Sequence, residues 1–324
     1  MLPKFDYLSP ASLDEATAVL ARGGAQAHAG GTDLLGCLAD GVLHPAIVVS
    51  LSRVPGLAGI RAEGDGSLRI GALTTLAEVA AHPLIGQRFQ VLAEAAAAVA
   101  SPQLRNQGTL GGNLCQKPRC WYYRGRFPCL RKGGEQCFAA EGQNQYHCVF
   151  GGERCFIVHP SDTAPALVAL EAMARVQGSG TSRSVPVAAL HVAPAQDPTR
   201  ETVLERDELI TEIVVPAPPA GLRSTYRKVR TRAAWDFALA GAAVALDLSS
   251  EAIASARIVL SGVAPVPWRA RAAELALEGR HLDATSIAAA ATAAVEGAEP
   301  LAHNAYKVPL IRGLVEDTLE DMIG

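Results

Sequence analysis

Seven cysteines are spread unevenly along the chain. Cys115, Cys120, Cys129, Cys137, Cys148 and Cys155 fall within one segment, and only Cys37 lies elsewhere. Eight of the sixteen aromatic residues share residues 115–156 with them, while the rest of the chain is alanine-rich. The segment therefore reads as an insertion with its own chemistry. Thiols so concentrated can pair as disulfides, which needs an oxidising compartment. They can hold zinc, which usually takes cysteines in close C-x2-C pairs, and no such pair occurs here. They can hold an iron–sulfur cluster on four thiolates, which tolerates wider spacing. Aromatic neighbours suit a cluster, because the apolar shell sets its potential and its access to solvent. Arg119, Arg124, Arg126, Arg131 and Lys132 could offset the negative charge of such a cluster; each is also an ordinary surface charge.

Two glycine-paired turns form the second group. His28-Ala29-Gly30-Gly31-Thr32-Asp33-Leu34 follows a short strand expected over 25–29, and Thr109-Leu110-Gly111-Gly112-Asn113-Leu114 repeats the type. Paired glycines let backbone N–H groups come close to a phosphate, and Thr32 adds a hydroxyl donor. Taken singly, each reads more simply as a plain tight turn. Neither fits G-x-G-x-x-G or G-x-x-x-x-G-K-[ST], which disfavours a Rossmann nucleotide site and a P-loop.

The elements that position these groups follow from pattern. Residues 10–22 read as a helix with Ser12 and Glu15 as a capping box and Gly23 as its stop. Residues 46–51 read as a buried strand. A hairpin begins at Ile60 with Asp65–Gly66 at its turn. Thr75 and Glu78 form a second capping box, and helices are expected over 84–100 and 161–175. Strands fit 184–190 and 208–215. PAPPAG at 216–221 is the linker candidate. Beyond it, 238–248 and 253–263 read as paired strands, followed by helices near 268–279, 285–296 and 303–322.

At roughly 150 residues per domain, 324 residues imply two domains. Hydrophobic residues at 49% and charged residues at 19% argue against disorder. With a net charge of −3, no basic surplus favours nucleic acid. No uninterrupted apolar run is long enough for a membrane span, and the acidic start shows no secretory signal. The order of elements is α+β rather than a regular βαβ series.

Four motifs occur in a fixed order: AGGTDLL at 29–35, QLRNQGTLGGNL at 103–114, HPSDTAPALVAL at 159–170 and YRKVRTRAAWDFALAGAAVAL at 226–246. Through them nearly the whole chain resembles the FAD-binding medium subunit of the xanthine dehydrogenase and CO dehydrogenase family. The resemblance implies a vanillyl-alcohol-oxidase-like FAD-binding domain over 1–220, with subdomains of about 1–57 and 58–220. A smaller α+β domain of the CO-dehydrogenase-flavoprotein type would span 221–324. Ala29, Gly30, Gly31, Thr32, Asp33 and Leu34 would line the first phosphate turn, and Thr109, Gly112 and Asn113 the second. Asp162 would contact the ribityl or ring region, and Lys228 would lie near the isoalloxazine. Alternatively, Asp162 is an ordinary helix-start residue and Lys228 a solvated strand-end charge. Arg105 and Asn106 read as loop structure.

The inserted cysteine segment is similar to that of two branches of the family, the flavin subunits of bacterial heterotrimeric aldehyde oxidoreductases and of 4-hydroxybenzoyl-CoA reductases. In both, the loop carries a [4Fe–4S] cluster, and the tail NQYHCVFG is closer to the aldehyde branch. The resemblance implies Cys120, Cys129, Cys137 and Cys155 as ligands, with Cys148 in reserve; Cys115 and Cys37 read as packed thiols. It further implies an electron-transfer subunit, with a molybdopterin-binding large subunit and a [2Fe–2S] small subunit as partners. Electrons would run from an aldehyde oxidised at the partner's molybdenum to an external acceptor, or the reverse way in a reductase. The compartment would be cytoplasmic or periplasmic, with export on a partner's signal. The competing class is a zinc- or disulfide-stapled binding protein without enzymatic activity. A third reading, an independent flavin oxidase, finds no added base or covalent-flavin motif.

Overall fold

The computed structural model describes residues 2–248 and 251–323. It is built around three sheets. The first unit runs β1 (Asp6–Leu8), α1 (Leu13–Ala21), β2 (Ala25–His28), α2 (Leu34–Ala39) and β3 (Ile47–Ser50), with a parallel sheet in the order β1-β3-β2. The second begins with β4 (Ile60–Ala62), β5 (Leu68–Gly71), α3 (Leu76–Ala81), α4 (Pro83–Arg88), α5 (Gln90–Ala98), α6 (Pro102–Arg105) and α7 (Leu110–Leu114). After α8 (Trp121–Arg124) in the cysteine segment come α9 (Thr163–Ala169), β6 (Met173–Gly178), β7 (Thr181–Pro186) and β8 (Leu209–Val215). Its sheet is antiparallel, in the order β4-β5-β8-β6-β7. The third unit is β9 (Leu222–Val229), β10 (Ala240–Asp247), β11 (Ser255–Ser261), β12 (Trp268–Arg269), α10 (Arg271–Leu277), α11 (Ala284–Ala293) and α12 (Lys307–Glu320), its strands ordered β12-β11-β10-β9. Among the described residues no helix is long and apolar enough to cross a membrane.

Local chemistry explains most boundaries. Thr75 and Glu78 cap α3 reciprocally. Ser12 accepts from the Glu15 N–H at 3.2 Å, but the Glu15 carboxylate reaches back to Ala11 rather than Ser12, so that box is half formed. The helix expected over 84–100 is two helices broken at Phe89, whose ring is fully buried. The helix expected over 161–175 ends at Ala169; Glu171 turns the chain at φ +54 and Met173 opens β6. Burial then alternates, with Ala174, Val176 and Gly178 inward and Arg175 outward, as a strand requires. The strand expected over 184–190 stops at Pro186. The helix expected from 268 starts three residues later because Trp268–Arg269 pair with β11.

The C-terminal sheet is buried on both faces. Ala240, Ala242, Val244 and Leu246 of β10 join one core with α10, α11 and α12, while Ala243 and Ala245 join the core of the second unit along with Tyr226 and Val259. Small side chains fit this double burial, since helices close in from one side and α5 and α9 from the other. The outer edge of β9 is covered by α5: Glu94 accepts from the Tyr226 N–H and the Thr225 hydroxyl, both at 2.8 Å. An edge covered in this way cannot pair with another chain.

The cysteine segment, read from sequence as an insertion with its own chemistry, is packed into the body of the protein. Val149 and Phe150 belong to the C-terminal core, and Phe150 stacks on Trp268 with centroids 5.0 Å apart. Fully buried Asn144 donates to Ala139 O and accepts from the His303 N–H, while buried Asn304 donates to the carbonyls of His147 and Cys148. Lys307, fully buried at the start of α12, donates to Gly262 O at 2.6 Å and Tyr146 O at 3.2 Å.

Candidate functional site

The two glycine turns, far apart in sequence, pack directly on each other. A Cβ on Gly30 would overlap the Gln107 carbonyl, and one on Gly108 would come within 3.5 Å of Thr32 Oγ1. Gly31 has φ +72, and a Cβ there would stand 2.7 Å from His28 Nε2, so this position needs glycine twice over. In the second turn a Cβ on Gly111 would meet Ala72 at 2.8 Å. Thr109 caps α7 by accepting from the Gly112 N–H at 3.2 Å. The N–H groups of Gly30, Gly31 and Thr32 have no intramolecular acceptor among the described residues. Unsatisfied N–H groups in a turn of this kind make an anion-binding concavity.

Both turns line a cleft of about 860 Å³, within the range of roughly 300–1,000 Å³ usual for ligand sites. Ala29, Gly30, Gly31, Thr32, Asp33, Leu34, Thr109, Gly112, Asn113, Asp162 and Lys228 all lie along it. The structure thus brings every expected flavin-site residue to one cavity. Arg105 and Asn106 are loop structure: Arg105 donates to Val99 O at 2.7 Å and Asn106 ends α6.

Their side chains are committed in specific ways. Asn113 is buried, and its Oδ1 accepts from Ser161 Oγ at 2.5 Å and Thr163 Oγ1 at 2.7 Å. Its amide NH2 has no partner among the described residues, which leaves a donor at the cleft wall. The Asp33 carboxylate is committed to protein partners: it accepts from the Lys117 N–H at 2.7 Å and pairs with Arg119 and with Arg124. Burial works to raise the Asp33 carboxyl, but Arg119, the Lys117 N–H and Arg124 together hold it below its usual range. Asp162 sits at the start of α9 without capping it; it pairs instead with Lys228 at 2.7 Å, both side chains about 5% exposed or less. Burial raises the Asp162 carboxyl, against the pull of Lys228 and Tyr226.

Spacing alone did not single out several other residues. The Tyr226 hydroxyl donates to Asp162 Oδ1 at 2.7 Å. Trp235 and Phe237 line the cleft, and Trp235, at φ +63, donates its backbone N–H to Ala100 O at 3.0 Å. Arg119 also lines the cleft and lies over the Phe237 ring at 5.0 Å. The motif at 226–246 contains Tyr226, Trp235 and Phe237, and Arg119 was read only as a charge near the cysteines; the pairings join segments about sixty or more residues apart.

All seven cysteines are free thiols. Cys137 and Cys155 share a thiol hydrogen bond that holds Cys137 down to about 6 and, with burial, pushes Cys155 up. Cys120, raised to about 11 by burial, lies near enough to feel both Cys137 and Cys129, and its sulfur is 3.3 Å from His147 Nε2. Cys148 is raised to about 12 by burial. Among the described residues, no group of three or more His, Cys, Asp or Glu side chains is drawn together to hold a metal ion. Cys37 is buried in α2, and Cys115 ends α7 beside the cleft, its thiol raised to about 12 by burial. The basic residues expected to offset a cluster are largely spoken for. Arg119 and Arg124 serve Asp33, and Lys132 donates to Gly125 O. Arg131 pairs with Glu201 and donates to the carbonyls of Pro198 and Arg200.

Comparison with known proteins agrees with this geometry. Residues 3–218 match the family described as FAD binding domain in molybdopterin dehydrogenase, and residues 224–322 match the CO dehydrogenase flavoprotein C-terminal domain. The chain is 36% identical over 303 residues to the aldehyde oxidoreductase FAD-binding subunit PaoB of Escherichia coli, covering 92% of this chain and 91% of that protein. It is 32% identical over 301 residues to the carbon monoxide dehydrogenase medium chain of Hydrogenophaga pseudoflava, covering 92% and 88%. A solved structure of carbon monoxide dehydrogenase from that organism superposes with a TM-score of 0.78 at 31% identity, over 98% of this chain and 96% of the other. These matches set aside the non-enzymatic binding-protein reading, because the relatives are subunits of an aldehyde oxidoreductase and a carbon monoxide dehydrogenase. The chain belongs to the family of FAD-binding medium subunits of the CO dehydrogenase and xanthine dehydrogenase type.

Proposed function

We propose that this chain is the electron-transfer subunit of a molybdenum hydroxylase that oxidises an aldehyde. FAD would lie in the cleft, and a [4Fe–4S] cluster would be carried by Cys120, Cys129, Cys137 and Cys155, with Cys148 as the substitute. The observation that carries the flavin part is the close packing of the two glycine turns, which leaves the N–H groups of Gly30, Gly31 and Thr32 open to a diphosphate. The side-chain-free cradle and the donor set fit that group. A bound flavin takes electrons singly from clusters and delivers them in pairs. Around it, the turns would fix the diphosphate, Asn113 would donate its free amide to the cofactor, and Lys228 with Asp162 would set the charge at the ring end. The cluster reading is supported by the resemblance of the cysteine segment and by pairwise proximity only: Cys120 lies near Cys129 and Cys137, and Cys137 bonds to Cys155, with no disulfide among them. The aldehyde is supported by similarity to a subunit of an aldehyde oxidoreductase. A molybdopterin-binding subunit and a [2Fe–2S] subunit would complete the complex, in the cytoplasm or, with a signal-bearing partner, in the periplasm.

The test is to purify the chain anaerobically with its partners, count iron and FAD, and record low-temperature EPR after dithionite reduction. One FAD per chain and a fast-relaxing [4Fe–4S] signal are expected. Cys120→Ser should abolish that signal and keep the FAD, because the turns lie outside the cysteine segment. FAD without the cluster signal overturns the cluster assignment. Absence of FAD after reconstitution overturns the whole reading.

A further inference from the structure

Three strands of the C-terminal sheet build the Asp162 end of the cleft. In register, Lys228 of β9 stands opposite Gly241 of β10, and Gly241 opposite Ser261 of β11. Tyr226 precedes Lys228 by two residues and so shares its face of the strand. The Tyr226 hydroxyl donates to Asp162 Oδ1 at 2.7 Å and lies 3.0 Å from Ser261 Oγ, while Lys228 Nζ donates to Asp162 Oδ2 at 2.7 Å. Gly241 makes the room for this: a Cβ there would collide with Ser261 Oγ and stand 2.8 Å from the Tyr226 hydroxyl. Tyr226, Ser261 and Asp162 are 6%, 6% and 4% exposed. A glycine inside a doubly buried strand weakens it and needs a local reason; here the reason is the hydroxyl pair.

We infer that Tyr226 is a positioning residue of the cofactor site: seated by Ser261 in the gap at Gly241, it holds Asp162 ionised as the partner of Lys228. The charge at the ring end of the cleft then stays balanced. The inference rests on FAD occupying the cleft and deepens that reading.

The physical case is a competition. Burial disfavours the Asp162 carboxylate, and the donors on its two oxygens oppose that cost. Lys228 of β9 and Arg230, just beyond the end of that strand, act on it, and Arg230 donates to Ala98 O. Arg119 and His159 line a small cavity next to it, together with Ser261. Of all these, Tyr226 alone donates to Oδ1. Without its hydroxyl, Asp162 takes up a proton at higher pH, and Lys228 is left as an uncompensated cation beside the flavin ring. One hydrogen bond to a charged group corresponds to roughly one to two pH units.

The experiment is the flavin midpoint potential against pH in the purified complex, with FAD counted in every sample. In Tyr226→Phe, the ring and its core packing remain. The pH break assigned to Asp162 should move upward by roughly one to two units, with FAD content unchanged. Gly241→Ala should shift it the same way, Ser261→Ala should shift it less, and Asp162→Asn should abolish it. A break that stays put in Tyr226→Phe, or that survives in Asp162→Asn, overturns the inference. If Tyr226→Phe does not assemble, Gly241→Ala decides in its place, because the added Cβ would stand 2.8 Å from the Tyr226 hydroxyl and disturb its bond to Asp162. FAD missing from the wild type overturns the underlying reading and this inference with it. FAD present with an unshifted break overturns the inference only.

Discussion

Gly30 and Asn113 show two ways in which a single residue makes the cleft. Gly30 contributes space: its neighbour is the Gln107 backbone, which cannot swing aside as a side chain would. Gly30→Ala should therefore cost about 1–3 kcal/mol of overpacking strain and empty the site. Flavin absorbance per chain and a thermal melt report both effects, and full FAD content in this variant would refute the close approach as a requirement. Asn113 contributes an acceptor for two buried hydroxyls and a spare donor. Asn113→Ala removes the acceptor that Ser161 and Thr163 share and leaves their hydroxyls only each other at 3.3 Å, at about 1–3 kcal/mol for the unsatisfied donor, and should lower FAD affinity as well as the melting temperature. Both residues were legible, because paired glycines and their flanking polar residues follow one another in the chain. The partners of Asp33 and Asp162 were not. A carboxylate's choice between a ligand and an arginine depends on segments such as 117–124 and 226–228, which only folding brings alongside.

Among the elements, the cysteine segment departs furthest from its sequence reading. Its composition marked it as chemically distinct, and it is; nothing in that composition revealed that it is bolted at both ends. At the near end Asp33 gathers Arg119, Arg124 and the Lys117 N–H. The native Asp33 pKa lies below its unfolded value of about 3.9. Its stabilising contribution is therefore complete above that value and disappears as pH falls through the lower native one. Asp33→Asn should loosen residues 115–125 at neutral pH, seen as faster amide exchange, and the two proteins should converge in strong acid. A difference that persisted or grew in acid would contradict the ion-pair account. At the far end, Phe150 stacks on Trp268 inside the C-terminal core. Phe150→Ala should cost about 3–5 kcal/mol, read as a lowered melting temperature; a surface loop would lose almost nothing. The helix caps at Ser12 and Thr75 were readable because they are local. Strand β6 was missed because its short alternation, Met173 to Gly178, directly abuts an apolar helix, and the boundary between the two periods lies at a single residue, Glu171, with positive φ.

At the scale of the whole molecule, the stretch where one family match ends at 218 and the next begins at 224 is not a break in packing. Tyr226, Ala243, Ala245 and Val259 of the C-terminal sheet sit in the same core as Leu92, Leu167 and Ile213 of the flavin-binding part. Glu94 of α5 ties the edge of β9, and Lys228 reaches Asp162 across the boundary. The sequence showed two family segments in tandem; that they share a core was hidden, since β10 reads as an alanine-rich strand with no sign of which faces are covered. A shared core makes the domains mutually dependent for stability, in contrast to the small polar interfaces that usually join domains. A fragment of residues 1–218 should therefore expose the faces of α5 and α9 that β9 and β10 cover, and leave Val149 and Phe150 without their core. It should bind a hydrophobic dye, melt without cooperativity and retain no FAD, and adding back residues 219–324 as a separate chain should restore flavin binding at least partly. A fragment that holds one FAD per chain and melts sharply would show that the boundary at 216–221 separates two independent folding units.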